Sequence, residues 1–138
     1  MEEKGLDLNT ILVVVSKDDR SIKALDWAIY LGNNCKNQSK LLIYYDLRDV
    51  YYLKELAFTF GVPVEIDVDE KEKSSAKTRL KELLKKFTGE YTIEFFYSGR
   101  KKGKLKDIVK EISPDLVITT VDYINVLPKY EKDTLVVT

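Results

Sequence analysis

Five consecutive aliphatic residues, Ile11-Leu12-Val13-Val14-Val15, constrain this chain more than any other stretch. A run without polar alternation cannot keep one face in water, so it reads as a strand covered on both faces, as in a parallel sheet. Parallel neighbours cannot be joined by a tight turn and need a crossover, usually a helix. The next segment supplies one. Ser21 is placed to cap it, Ile22, Leu25, Ala28 and Ile29 recur at helical spacing, and Gly32 ends it. Leu41-Leu42-Ile43-Tyr44-Tyr45 returns to the strand pattern and completes one β-α-β unit.

The alternation continues. Val50, Leu53, Leu56, Ala57 and Phe60 keep helical spacing until Gly61 and Pro63. Val64, Ile66 and Val68 then fit either a short half-exposed strand or an extended loop. From Lys71 to Phe87, Ala76, Leu80, Leu83, Leu84 and Phe87 share one side of a helix that Gly89 ends. Tyr91 to Tyr97 reads as a strand, Leu105 to Ile112 as a helix stopped before Pro114, Leu116-Val117-Ile118 as a buried strand, and Thr134 to Val137 as the last strand. The expectation is α/β: a single-domain open parallel sheet of five strands with helices on both faces, spanning residues 1–138.

Several function classes drop out on composition. Twenty-three basic residues balance twenty-three acidic ones, which removes the uniform positive field of a general nucleic-acid binder. The absence of histidine excludes Ser-His-Asp and Cys-His catalysis and histidine metal sites. Cys35 is the one cysteine and has no partner for an internal disulfide. No apolar run nears the roughly 20 residues of a membrane span, and residues 1–5 lack a signal-peptide pattern. A cytoplasmic protein is expected.

Ligands of open parallel sheets bind beyond the carboxyl ends of the strands, which confines the search to three loops. The first, Ser16-Lys17-Asp18-Asp19-Arg20-Ser21, precedes a helix N-terminus and suits either anion or ribose contacts or simple capping. Asp18 and Asp19 are read as a surface turn rather than a magnesium site. The second, with Gly99, Arg100, Lys101, Lys102 and Gly103, runs into Lys104 and Lys106; its glycines and charge fit a phosphate cradle or a solvated loop. The third runs from Thr119 to Tyr123. Trp27 and the tyrosines at 44, 45, 51 and 52 read as packing residues, although tyrosines also stack on bases.

Taken together, "ILVVVSKDDRSIKALDWAIYLG", "KLLIYYDL", "IEFFYSGRKKGKLKDIVKEISPDLVI" and the terminal "TLVVT" resemble a universal stress protein, in an order that leaves about Val50 to Glu70 unmatched. The resemblance implies strand order 3-2-1-4-5 and often a homodimer formed by the last strands, here Leu135, Val136 and Val137. Many members bind ATP, through an aspartate after the first strand, a G-x-x-G loop after the fourth, and a later G-S or G-T. This sequence departs from that pattern, with Ser16 in place of the aspartate, Thr120 and Tyr123 in place of the loop glycines, and no G-S or G-T before the last strand. Bulky side chains obstruct the backbone donors that would meet phosphates. Val121 to Asp133 barely reaches crossover length, so the last crossover helix is expected to be shortened or lost.

The expectation that follows is a non-catalytic, stress-related homodimer or adaptor for another protein, with no cofactor and no ATP bound in the family manner. An alternative keeps ATP or another adenine nucleotide, or another phosphate, at Ser16, Lys17, Asp18, Tyr45, Gly99, Arg100, Lys102 and Thr120. A further alternative, nucleic-acid binding through the basic 100–106 loop, is disfavoured by the zero net charge.

Overall fold

The computed structural model describes residues 8–35, 38–61, 68–96, 103–120, 123 and 133–137. Its elements are β1 (Thr10–Val15), α1 (Asp19–Asn33), β2 (Lys40–Asp46), α2 (Arg48–Phe60), α3 (Val68–Leu83), a single 3-10 turn (Leu84–Lys86), β3 (Tyr91–Phe96), α4 (Gly103–Ile112), β4 (Leu116–Thr120) and β5 (Asp133–Val137). All four strand pairings are parallel, and the sheet order is β3-β2-β1-β4-β5. The expected fold class and strand order are therefore present.

β1 lies at the centre and is buried on both faces, as its uninterrupted aliphatic run requires. Its alternate residues enter two cores. Ile11, Val13 and Val15 join Leu41, Ile43 and Tyr45 under α1 and α3, through Ala24, Leu25, Ala28, Ile29, Ala76 and Leu80. Leu12 and Val14 join Phe96, Val117 and Tyr123 under α4, through Leu105 and Val109. Right-handed crossovers produce this division, because the chain winds one way through β1, β2 and β3 and the other way from β4 onward.

Local chemistry sets the ends of the helices. Asp18, rather than Ser21, is the N-cap of α1; its carboxylate accepts from the Arg20 backbone N–H, while Ser21 is buried inside the first turn. Gly61 closes α2 in the left-handed conformation at φ 67°, where only glycine is unstrained. At Gly32 α1 meets the Phe87 ring so closely that an added Cβ would lie 2.7 Å from Cε1.

Three further expectations are corrected. The third helix starts at Val68, ahead of Lys71, and leaves α geometry after Leu83. Trp27 does not pack beside the sheet. It lies about 200° around α1 from Leu25, is 48% exposed, and meets the Tyr30 ring edge-on at 6.1 Å. Small residues at 24 and 28 hold the inward face close to the strands, which leaves the tryptophan outside. Ile22, aligned with the core positions by spacing, is 39% exposed.

Tyr45 is buried and Tyr44 half-buried against Phe96, so both pack. The side chains of Tyr51 and Tyr52, the 64–66 segment, and the final crossover apart from Tyr123 lie outside the described residues.

Candidate functional site

Strand alternation sends Tyr45 and Asp46, the last two residues of β2, to opposite faces of the sheet. Each organises a different region at the carboxyl ends of the strands.

On the α1 and α3 side lies a pocket of about 200 Å³ lined by the 15–19 stretch, Ser21, Ile22, Leu25, Tyr45, Arg79, Leu80 and Leu83. It brings together four of the sequence-expected residues, Ser16, Lys17, Asp18 and Tyr45. Two of the four are already engaged within their loop. The Ser16 N–H donates to Ser21 Oγ at 2.8 Å, and the Asp18 N–H donates to Ser16 Oγ at 3.3 Å. Asp18 is also held by Arg20 Nη2 at 2.8 Å. Capping and turn formation account for this serine and aspartate.

The sequence reading missed what fixes Tyr45. Its hydroxyl donates to Glu72 Oε1 and accepts from Arg79 Nη2, both at 3.0 Å. Burial, followed by the Glu72 carboxylate, pushes the phenol up to about 12. Glu72 and Arg79 are seven residues apart on α3, two turns on one side, and only that spacing hints at a shared partner. Burial, followed by Glu94 and Glu111, raises the Tyr44 phenol as well.

The α4 side differs. Tyr123 is 2% exposed, and its hydroxyl donates to Asp46 Oδ2 at 2.6 Å. Tyr123 follows β4 and Asp46 ends β2, with β1 between them. Two strand spacings, about 9.6 Å, separate the outer pair. The tyrosine side chain therefore crosses the end of β1, where strand order reverses and ligands of open α/β sheets sit.

Thr120 is not among the described residues that line the pocket. It is 2% exposed and pairs with Val137. Leu135 and Val136 are half-buried on β5, and Val137 is part of the larger core. Gly99, Arg100 and Lys102 lie outside the described residues, as does most of the basic loop. Among the described residues no three histidine, cysteine, aspartate or glutamate side chains cluster as metal ligands, and no helix is long and apolar enough to cross a membrane.

Solved structures decide the architecture. UspA from Lactobacillus plantarum, a universal stress protein, superimposes with a TM-score of 0.63 at 16% identity over 95% of this chain and 98% of its own. The chain has the universal stress protein fold. A universal stress protein solved in complex with cAMP matches with a TM-score of 0.61 at 12% identity, over 94% of this chain and 96% of its own. One from Archaeoglobus fulgidus in complex with dAMP matches with 0.61 at 11% identity, over 96% and 99%. No protein-family model and no curated protein matches the sequence. At these identities the universal stress protein likeness is one of fold.

Proposed function

We propose that this chain is a non-catalytic universal stress protein-like domain of the cytoplasm that does not bind ATP in the family manner. It acts through its surfaces, as a stress-related homodimer or an adaptor, with β5 as the edge expected to meet a second copy. The observation that carries this reading is the Tyr123 to Asp46 hydrogen bond of 2.6 Å. Where the family pattern has a loop glycine, a buried phenol lies across the end of β1 and removes room for phosphates on bare backbone.

A second reading is favoured by the 200 Å³ pocket. It leaves space beside Ser16, Tyr45 and Arg79 for a nucleotide or phosphate ligand held without the triphosphate cradle, with Lys17 and Arg79 supplying positive charge. Two structural neighbours are solved with cyclic AMP or dAMP, which supports testing that class.

Thermal unfolding with millimolar ATP, cAMP, dAMP or inorganic phosphate tests both readings. A ligand at 100 times its dissociation constant adds about 2.7 kcal/mol, which moves the midpoint of a domain this size by about 8 °C. The expected result is no shift with any of them. A shift of several degrees with ATP overturns the first reading. A shift with cAMP, dAMP or phosphate that Arg79→Ala abolishes establishes the second.

A further inference from the structure

The pocket between α1 and α3 has two unlike parts. One is apolar: Val15, Leu25 and Leu80 are buried, Leu83 is half-buried, and Ile22 completes the set. Ile22 repeats the core spacing of α1 and is still 39% exposed, because it borders this cavity instead of a packed neighbour. The other part is polar. Ser16, Lys17, Asp18, Asp19 and Arg79 border the same space, and the buried Tyr45 carries its hydroxyl to Arg79.

Size sets the first limit on a ligand. A volume of about 200 Å³ is the share of about seven waters in the liquid, at roughly 30 Å³ each. It lies below the roughly 300–1,000 Å³ of pockets that enclose drug-sized ligands. One ring or a short branched chain fits, whereas a base, a ribose and a phosphate together do not.

Charge sets the second. Asp18 is held by Arg20 Nη2 at 2.8 Å, which leaves Lys17 and Arg79 against Asp19 in the described lining, an excess of one positive charge. Arg79 gives one N–H to the Tyr45 hydroxyl at 3.0 Å. A guanidinium has five such donors in a planar fork, so several remain for a planar acceptor. Glu72 takes the same hydroxyl's proton in a hydrogen bond of 3.0 Å. Together with Asp19, its carboxylate disfavours a doubly charged group here.

We propose that this pocket binds a small monocarboxylate whose apolar body is a single ring or a short branched chain. The body lies on Val15, Ile22, Leu25, Leu80 and Leu83, and the carboxylate meets Arg79. This rests on the second reading for the place of the site and changes the class of ligand, from a nucleotide or phosphate to a carboxylate. Burial of the body supplies affinity, and the charge-assisted contact with Arg79 selects the anion.

Amide correlation spectra of the full chain, titrated into the millimolar range with benzoate, benzamide, phenyl phosphate and AMP, test the proposal. Benzoate is expected to move the amides of residues 15–21 and 79–83 saturably. Benzamide keeps the ring and loses the charge, and phenyl phosphate doubles it; each is expected to bind about tenfold more weakly or worse. Arg79→Gln, at an exposed position, should weaken benzoate by a similar factor and leave benzamide unchanged. Ile22→Trp fills the pocket from a part-exposed position and should abolish benzoate binding with circular dichroism unchanged. Benzamide binding as tightly as benzoate, or benzoate binding that survives Ile22→Trp, overturns the proposal. AMP or phenyl phosphate binding there more tightly than benzoate overturns the carboxylate and leaves the second reading standing. If no probe moves these amides, both fall.

Discussion

Replacing Tyr123 with phenylalanine isolates the hydroxyl that crosses the end of β1. The ring stays in its core beside Leu12, Val14 and Val117, so packing is kept and the bond to Asp46 is lost. A hydrogen bond to a charged group is worth about 1.5–3 kcal/mol, and removing the donor leaves a carboxylate that is 4% exposed without that contact. Asp46 keeps other interactions, which places the expected loss near 2 kcal/mol. Urea unfolding should show the midpoint falling at constant slope, since the surface exposed on unfolding does not change. Heating should show a midpoint lower by about 6 °C. A double-mutant cycle with Asp46→Ala separates the bond from its surroundings and should give a coupling of about 1.5 kcal/mol or more. A Tyr123→Phe loss under 0.5 kcal/mol, or no coupling, would refute the idea that this bond is a structural joint.

The Tyr45 phenol, pushed up to about 12 from 10, gives a pH signature. Because its folded value is the raised one, its stabilisation is complete below pH 10 and is lost as pH climbs from 10 to 12. Each pKa unit corresponds to about 1.4 kcal/mol, so wild type should lose at most about 2–3 kcal/mol relative to Tyr45→Phe across that window. Equal losses in the two proteins, measured by urea titrations between pH 9 and 12, would remove the assignment. Asp18→Ala should lower stability by about 1 kcal/mol through loss of the α1 cap, whereas Ser21→Ala, if it proved as costly through capping alone, would reverse the assignment of the two residues.

The strands were legible because burial on both faces leaves uninterrupted aliphatic runs, as in Ile11–Val15 and Leu116–Ile118, and parallel pairing then requires the crossovers that the helical spacing supplies. Solvent-facing apolar residues were not legible. Trp27 and Ile22 have the composition of core residues, and hydrophobicity alone cannot tell an inward helix face from an outward one; what decides is the direction set by Ala24, Leu25 and Ala28. α2 illustrates the same limit, since its Leu53, Leu56 and Phe60 keep the expected period and still face water. At the site, Ser16, Lys17, Asp18 and Tyr45 could be placed together because they leave neighbouring parallel strands at the same end. Arg79 and Glu72 could not, because a helix with charges at most positions gives no sign of which ones turn inward.

The departure at position 123 has a structural consequence of its own. A ligand lying over the switch point of an open sheet touches both halves and couples them when it binds. Tyr123 makes that connection from within the chain, joining the exit of β4 to the exit of β2 across β1. A tethered side chain is present at every moment and needs no free ligand, so the coupling cannot vary with ligand concentration. The sheet ends are thus held by structure where a nucleotide-dependent relative would hold them by occupancy. On the proposed reading, in which ATP is not bound in the family manner, this hydrogen bond stands where a bound nucleotide would otherwise connect the two halves of the sheet.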